Sequence, residues 1–531
     1  MEAYSYHTFI LPFIWEGKGK HQSDLKSFLN VFEKNPNWVN TDSSEGSGIE
    51  DNPGIESMDD ALTYYKEYQY FHPYVRKAIY NLDSGIVYNY SFMPDAIRNK
   101  AHYYIEKNGR KYDLLINGIK LKIFNTGVAL FILECENHGT GADGKSQATL
   151  GDVKNINDYG RRISLPFIPV ESSGYFSICA DRVSVKIDGV GNFEDDYLGF
   201  AKRLKDIYDI NRALSFTHVC SFVKELLGFG SDVKFTSKQA KNKDDIYIYP
   251  ALDDRMFVAC CCFDENSCDS FCSKNNGEYS YLADVDISKS LYELAFIDPS
   301  GKCSCSDSEM RNELLKNHVY TRWIDANNTK ESTIYTIANQ GITMLTSSYV
   351  DYLTESFLTQ YIQMCCLNLA QRATLIHFQR EASMLSENIE KKGKKINQKT
   401  IARLMNLQER FVAYQSQLSF TEVSPQEQAI EMNEMLRKSM FIEQETETLK
   451  ARIEKLEGAS STNLDYGFNI IALIFTAIAF FCSFFDNFMN LTGEGDFITL
   501  NNPVIEAVVG IVPSIALVVV FFILLKYRMI K

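Results

Sequence analysis

Hydrophobic and polar positions change their spacing part-way along this chain. Up to about residue 335, short alternating or β-branched apolar runs predict strands at 4–14, 85–92, 111–115, 120–136, 176–187, 245–249 and 256–262. Apolar positions at three-to-four spacing predict helices at 57–81, 193–210 and 216–227. Beyond 335 the helical spacing dominates. It predicts one helix over 353–390, a basic break at Lys391-Lys392-Gly393-Lys394-Lys395, and a second helix over 397–419. A third is expected to open at Pro425, with Ser424 as its cap and Glu427 completing a capping box. Along it Met435, Ile442, Leu449 and Leu456 recur every seven residues, accompanied by Met432, Ser439, Thr446 and Ile453. That heptad pattern suits either an intermolecular stalk or packing on the chain's own helices. Two charge-free apolar runs follow, 467–485 and 507–525, each 19 residues long. That is the length a helix needs to cross ~30 Å of hydrocarbon. The expected fold class is therefore an α+β domain (1–335), a helical region with a coiled-coil stalk (336–458), and a C-terminal two-helix transmembrane hairpin (459–531).

Charge adds an orientation. Lys450, Arg452 and Lys455 precede the first run, and Lys526, Arg528 and Lys531 follow the second, while 486–506 has no Lys or Arg. The positive-inside rule then places both termini in the cytoplasm and only the short loop outside the inner membrane. The net charge of −14 argues against a general nucleic-acid binder. Thirteen cysteines without a basic, apolar leader point to a reduced setting. Cys260, Cys261, Cys262, Cys268, Cys272, Cys303 and Cys305 cluster in sequence but form no clean pair of zinc knuckles, so buried thiols are the plainer reading. The segment 41–60 is rich in Asp, Glu, Ser and Gly and reads as a solvated loop.

Inside the first apolar run Asn469, Thr476, Ser483 and Asn490 fall seven apart, which puts them on one helical face. Polar side chains at such depth face protein or a water-filled path. With Glu494 and Asp496 near the outer mouth, the stripe is expected to line a cation pore. Its amide and hydroxyl oxygens suit a hydrated divalent ion such as Mg²⁺, which keeps several waters. Helix–helix packing is the alternative for the same residues.

The C-terminal third resembles the CorA family of divalent-cation channels. Phe488-Met489-Asn490 stands where that family has Gly-Met-Asn, with phenylalanine replacing glycine. The resemblance implies a homo-oligomer, a pentamer by analogy, set in a lipid bilayer. It also implies a selectivity loop of Phe488, Met489, Asn490, Glu494 and Asp496, with Asn490 as the ion-binding residue. Four N-terminal segments, at 6–15, 156–163, 252–257 and 318–323, are similar to those of CorA-like membrane effectors associated with type III CRISPR systems. This implies antiviral defence controlled by a nucleotide second messenger that joins S-adenosylmethionine to AMP.

For such a ligand, Arg161 and Arg162 are expected to clamp a phosphate, assisted by Arg255 and Arg322. Tyr159 or Trp323 would stack on the adenine, and Asp253 or Asp254 would meet a ribose hydroxyl or the sulfonium. The plainer alternative makes each arginine a structural ion pair, Arg255 with Asp253 or Asp254 and Arg161 with Asp158. No phosphate-loop, HExxH or nucleophile-elbow pattern occurs, so the expectation is a non-enzyme without a catalytic cofactor. The leading reading is a ligand-gated cation channel. A constitutive or Mg²⁺-regulated transporter and a membrane-anchored receptor without a pore stand beside it.

Overall fold

The computed structural model describes residues 3–17, 24–44, 55, 57–97, 100–139, 141, 147–165, 178–203, 219–237, 245–391 and 398–458. Its strands, in chain order, begin with β1 (Ser5–Gly17), β2 (Trp38–Asn40), β3 (Val87–Phe92), β4 (Ala101–Lys107), β5 (Arg110–Phe124) and β6 (Val128–Asn137). Next come β7 (Arg182–Ile187), β8 (Gly191–Asp196), β9 (Lys234–Thr236), β10 (Asp245–Pro250) and β11 (Phe257–Phe263). The last are β12 (Lys274–Asn275), β13 (Glu278–Tyr279), β14 (Val319–Tyr320), β15 (Thr333–Ala338) and β16 (Gly341–Thr346). Among the described residues, β12 and β13 pair with each other and the other fourteen form one mixed sheet. Its main path runs β14-β15-β16-β11-β1-β6-β5-β4-β7-β8.

Strand β1 is the spine. It is antiparallel to β6 over Ser5–Ile14, and its other edge is shared by β11 at Ser5–Ile10 and β10 at Phe13–Gly17. Central placement explains its near-continuous apolar sequence, because both faces are covered. Strand β11 lies parallel to β16, and β15 folds back on β16 through the turn Asn339-Gln340. The helix Leu150–Gly160 packs on this part of the sheet. Thr149 and Asp152 close a capping box at its start. Buried His7 on β1 hydrogen-bonds Asn157 at 2.7 Å, tying helix to strand. At Gly160 an added Cβ would come within 2.7 Å of the Ile105 side chain and 2.9 Å of the Phe9 ring, so any larger residue would require these side chains to shift. These contacts fix where Arg161 and Arg162 emerge.

The chain divides into two compact units. One comprises Met1–His377 with Val412–Thr446 and contains the sheet. The other comprises Phe378–Phe411 with Glu447–Lys531. In the described part of the second, helical segments bury Phe378, Leu385, Leu404, Leu407, Phe411, Leu449, Ile453 and Leu456.

Several expectations are corrected. The expected strand 120–136 is two strands, because Asn125-Thr126-Gly127 makes the β5–β6 turn and Gly127 takes φ +93°. The expected helix 57–81 is broken before Pro73 into Met58–Tyr70 and Pro73–Tyr80, as proline disfavours helix in the residue before it. The start of the expected helix 193–210 is strand β8, followed by helix at Tyr197–Arg203, while 204–210 lie outside the described residues. Ser424 does not cap a helix opening at Pro425. Its hydroxyl bonds the Tyr70 carbonyl, and the helix runs Glu427–Ser439 from a Gln426 cap. The heptad helix is interrupted where Phe441 takes φ +57°, and resumes over 442–458. Ile442, Leu449, Ile453 and Leu456 are already buried within the single chain.

The largest correction concerns architecture. In place of a domain leading by a stalk into a membrane hairpin, the described residues form a fourteen-stranded mixed sheet with helices. No helix among the described residues is long and apolar enough to cross a membrane. The expected transmembrane, channel and multi-pass inner-membrane character therefore has no element to carry it there. The runs 467–485 and 507–525 lie outside the described residues, as do Asn469, Thr476, Ser483, Phe488, Met489, Asn490, Glu494 and Asp496.

Candidate functional site

Five separated segments converge on one cavity of about 380 Å³, one of them contributing Ile178. The C-terminal end of the helix Leu150–Gly160 supplies Asp158, Arg161 and Arg162. The loop between β10 and β11 supplies Arg255. The helix Val285–Phe296 and the turn after it supply Tyr292, Phe296, Asp298, Lys302 and Ser304, and the β15–β16 turn supplies Gln340. The backbone makes the convergence firm. Arg162 and Arg255 form an antiparallel bridge, with Met256 N–H donating to the Arg161 carbonyl at 2.7 Å and Ile163 N–H to the Asp254 carbonyl at 3.0 Å. Ile297 ends its helix in the left-handed region at φ +57°, which turns the chain towards Asp298.

Asp158 is the internal anion of the site, with its side chain 3% exposed. Its Oδ1 accepts from Arg161 Nε and Nη2 at 3.3 and 3.1 Å and from Arg162 Nη2 at 3.4 Å. Arg161 is also buried, and its other bonds go to Gln340 Oε1 at 2.6 Å and the Ile297 carbonyl at 2.8 Å. Burial pulls its guanidinium down to about 10; Asp158 opposes the shift, and neighbouring Arg255 and Arg162 add to it. Two adjacent guanidiniums at a helix C-terminus also meet the negative end of the helix dipole.

The remaining cations are less spent. Arg162 reaches Asp254 Oδ2 only at 3.5 Å, and its buried Nε has no acceptor among the described residues. Arg255 binds Asp253 Oδ2 at 2.6 and 3.1 Å and Gln340 Oε1 at 3.2 Å. Burial works against its charge, but the Asp253 contacts win and hold it above the usual arginine value. Lys302 is exposed and pairs with no carboxylate among the described residues. The lining also holds Tyr292 and Phe296, stacked at 4.4 Å, and Asp298, whose carboxyl is raised by burial against the Ser304 bonds that lower it. The lining thus holds four cations, two carboxylates and an aromatic wall. Such a wall and cation set fit an anion carrying a flat or apolar portion.

Three of the sequence-predicted ligand residues, Arg161, Arg162 and Arg255, line this cavity. Asp253 and Asp254 act as their partners, so the ion-pair alternative describes part of what these arginines do. The others go elsewhere. Tyr159 is 6% exposed in the core with Lys107 Nζ 5.7 Å from its ring. Arg322 pairs with Glu431 at 2.6 Å and Glu427 at 2.8 Å, beside the half-exposed Trp323. None of these three lines the cavity. Sequence reading missed Tyr292, Phe296, Asp298, Lys302, Ser304 and Gln340. The one local signal was the turn Pro299-Ser300-Gly301-Lys302, which follows an aromatic pair spaced four apart.

The clustered thiols sit on three elements: Cys260, Cys261 and Cys262 lie buried in β11, Cys268 and Cys272 in the helix Glu265–Cys272 with their Sγ atoms 3.9 Å apart, and Cys303 and Cys305 in a loop. Among the described residues no group of three or more His, Cys, Asp or Glu could hold a metal.

Comparison gave no match. No family model, curated protein or solved structure matches this chain.

Proposed function

We propose that this chain is a ligand sensor whose cavity binds a small nucleotide-class anion. The reading is carried by the convergence of Arg161, Arg162, Arg255 and Lys302 beside the Tyr292–Phe296 wall. Arg162, Arg255 and Lys302 meet the phosphate, and the base packs on the aromatic side. Arg161 stays with Asp158 as the scaffold. A cavity of about 380 Å³ lies at the small end of the range for ligand sites, which run to ~1,000 Å³. The first candidate ligand is the conjugate of S-adenosylmethionine with AMP, in the antiviral setting that the resemblance implies. The ion-conducting half of that expectation depends on residues outside the described set.

Calorimetric titration of the full chain with this conjugate, ATP, AMP and inorganic phosphate tests the reading. A charge-assisted hydrogen bond contributes about 1.5–3 kcal/mol, so Arg255→Ala should weaken the bound nucleotide about tenfold or more. Lys302→Ala should weaken it with no change in melting temperature. Affinities equal to wild type in both variants, or no nucleotide bound by wild type, would refute the assignment.

A further inference from the structure

We propose that Gln340 is itself a ligand-binding residue of this cavity, its side-chain amide donating to a phosphate oxygen. The inference rests on the anion-binding reading above and adds a neutral donor to the cations named there.

The orientation of the amide follows from its neighbours. Gln340 Oε1 accepts from Arg161 Nη1 at 2.6 Å and from Arg255 Nη1 at 3.2 Å. A guanidinium carries donors and no acceptor, so only the oxygen end of the amide can face this pair. Reversed, the amide would set its own N–H groups against two cations and leave both bonds unmade. The network therefore assigns which end is oxygen and which is nitrogen.

That leaves Nε2. The two Oε1 contacts are the only hydrogen bonds of this side chain among the described residues. Gln340 is half-buried, and its Nε2 is not enclosed as the unpartnered Nε of Arg162 is. The opening it borders is the cavity, which Gln340 lines together with Arg162, Arg255 and Lys302. Two N–H donors thus stand there without an acceptor among the described residues.

The amide is also held in place before any ligand arrives. The Gln340 carbonyl accepts from Val258 N–H at 3.1 Å, and the Asn339 carbonyl accepts from Arg372 Nη1 at 3.3 Å. A Cβ on Gly341 would sit 2.7 Å from the Val258 carbonyl oxygen, so the turn packs tightly on β11. With backbone and Oε1 both fixed, little freedom is left for binding to remove. An ionised phosphate oxygen accepts and does not donate, which complements a lining where Arg162, Lys302 and Nε2 offer donors only. The amide differs from the cations in being uncharged. Its contribution is short in range and directional, and salt does not screen it as it screens an exposed ammonium.

Titration of ATP into the full chain, by calorimetry and by NMR with isotope-labelled glutamine side chains, tests the assignment. The Gln340 signal is identified by its absence in Gln340→Glu, which keeps an oxygen on both arginines, or in Gln340→Met should that chain not fold. Saturating ATP should slow the exchange of the Gln340 amide protons with water several-fold. Gln340→Met should weaken ATP about tenfold, and by the same factor in dilute buffer and at about 0.5 M salt. The loss in Lys302→Ala should shrink over that range. Unchanged amide exchange, or a Gln340→Met loss that disappears in high salt, would overturn the donor role, because Gln340 would then act only through the arginines it brackets. Both outcomes leave the anion reading standing. That reading fails instead if wild type binds no ATP, and the assignment of Gln340 falls with it.

Discussion

Asp158 shows how a single residue sets the character of the site. A carboxylate almost wholly removed from water needs both guanidiniums that face it. Arg161→Ala should destabilise the fold by about 3–5 kcal/mol in urea unfolding, because it strands Asp158 without its main partner. Lys302→Ala removes an exposed ammonium that pairs with no carboxylate among the described residues and should change stability by less than ~0.5 kcal/mol. The contrast separates a scaffold arginine from an exposed lysine that lines the cavity. Glu67 offers a pH test. Its carboxyl is fully buried, accepts from Tyr80 at 2.7 Å and from Gln363 at 3.3 Å, and is raised above 4.5 by that burial, with Tyr80 and Lys122 pulling the other way. The folded chain therefore keeps the proton at pH values where the unfolded chain has lost it. This contribution to stability is full below pH 4.5 and fades as pH rises through the folded-state value. Glu67→Gln keeps an acceptor for Tyr80 and cannot ionise. Its unfolding free energy should fall less steeply above pH 4.5 than that of wild type, and parallel curves would show that Glu67 is not the cause. At this scale the adjacent pair Arg161-Arg162 was visible in the sequence, and both line the cavity. That Tyr159 faces the core while its neighbours reach the cavity was not visible, because direction at a helix end depends on the last turn.

At the scale of elements, the β15–β16 turn does the most for the site. It presents Gln340 to two arginines and leaves room at Gly341 for nothing larger than hydrogen. Gly341→Ala should cost about 1–3 kcal/mol, since the obstacle is the Val258 carbonyl, which is backbone and cannot swing aside. Chemical denaturation of the variant checks this, and unchanged stability would mean that β16 shifts freely against β11. Alternation and β-branching made β1, β3, β10 and β11 legible, as continuous helical spacing did for the helix Ile362–Lys391. The failures have local causes. Thr126-Gly127 in the β5–β6 turn sits between two apolar strands that read as one run. Strand β8, GNFEDD, is so polar that it is held by pairing with β7 and not by an apolar face. Lone pairs of strand residues such as β14 carry no periodic signal at all.

At the scale of the molecule, the cavity exists because the sheet order places β11 between β1 and β16. That brings residues near 160, 255, 300 and 340 together across long stretches of chain. A ligand that binds only the folded form must stabilise it. At a hundredfold excess over Kd the gain is ~2.7 kcal/mol, so saturating nucleotide should raise the melting temperature of wild type. Lys302→Ala should need about tenfold more nucleotide for the same shift. Identical thermal shifts in the two chains would place the ligand elsewhere. The sequence by itself determined what depends on neighbours in the chain: strand and helix periodicity, and the paired arginines with acids beside them. Hydropathy also marked two long apolar runs, but the helices of the described residues are those of a sheet-based fold, and none is long and apolar enough to cross a membrane. Only the tertiary structure decided that Arg255, Lys302 and Gln340 share a cavity with Arg161 and Arg162, and that Arg322 and Trp323 do not. Pairing between distant strands is set by which faces bury together, and a one-dimensional pattern shows each face without naming its partner.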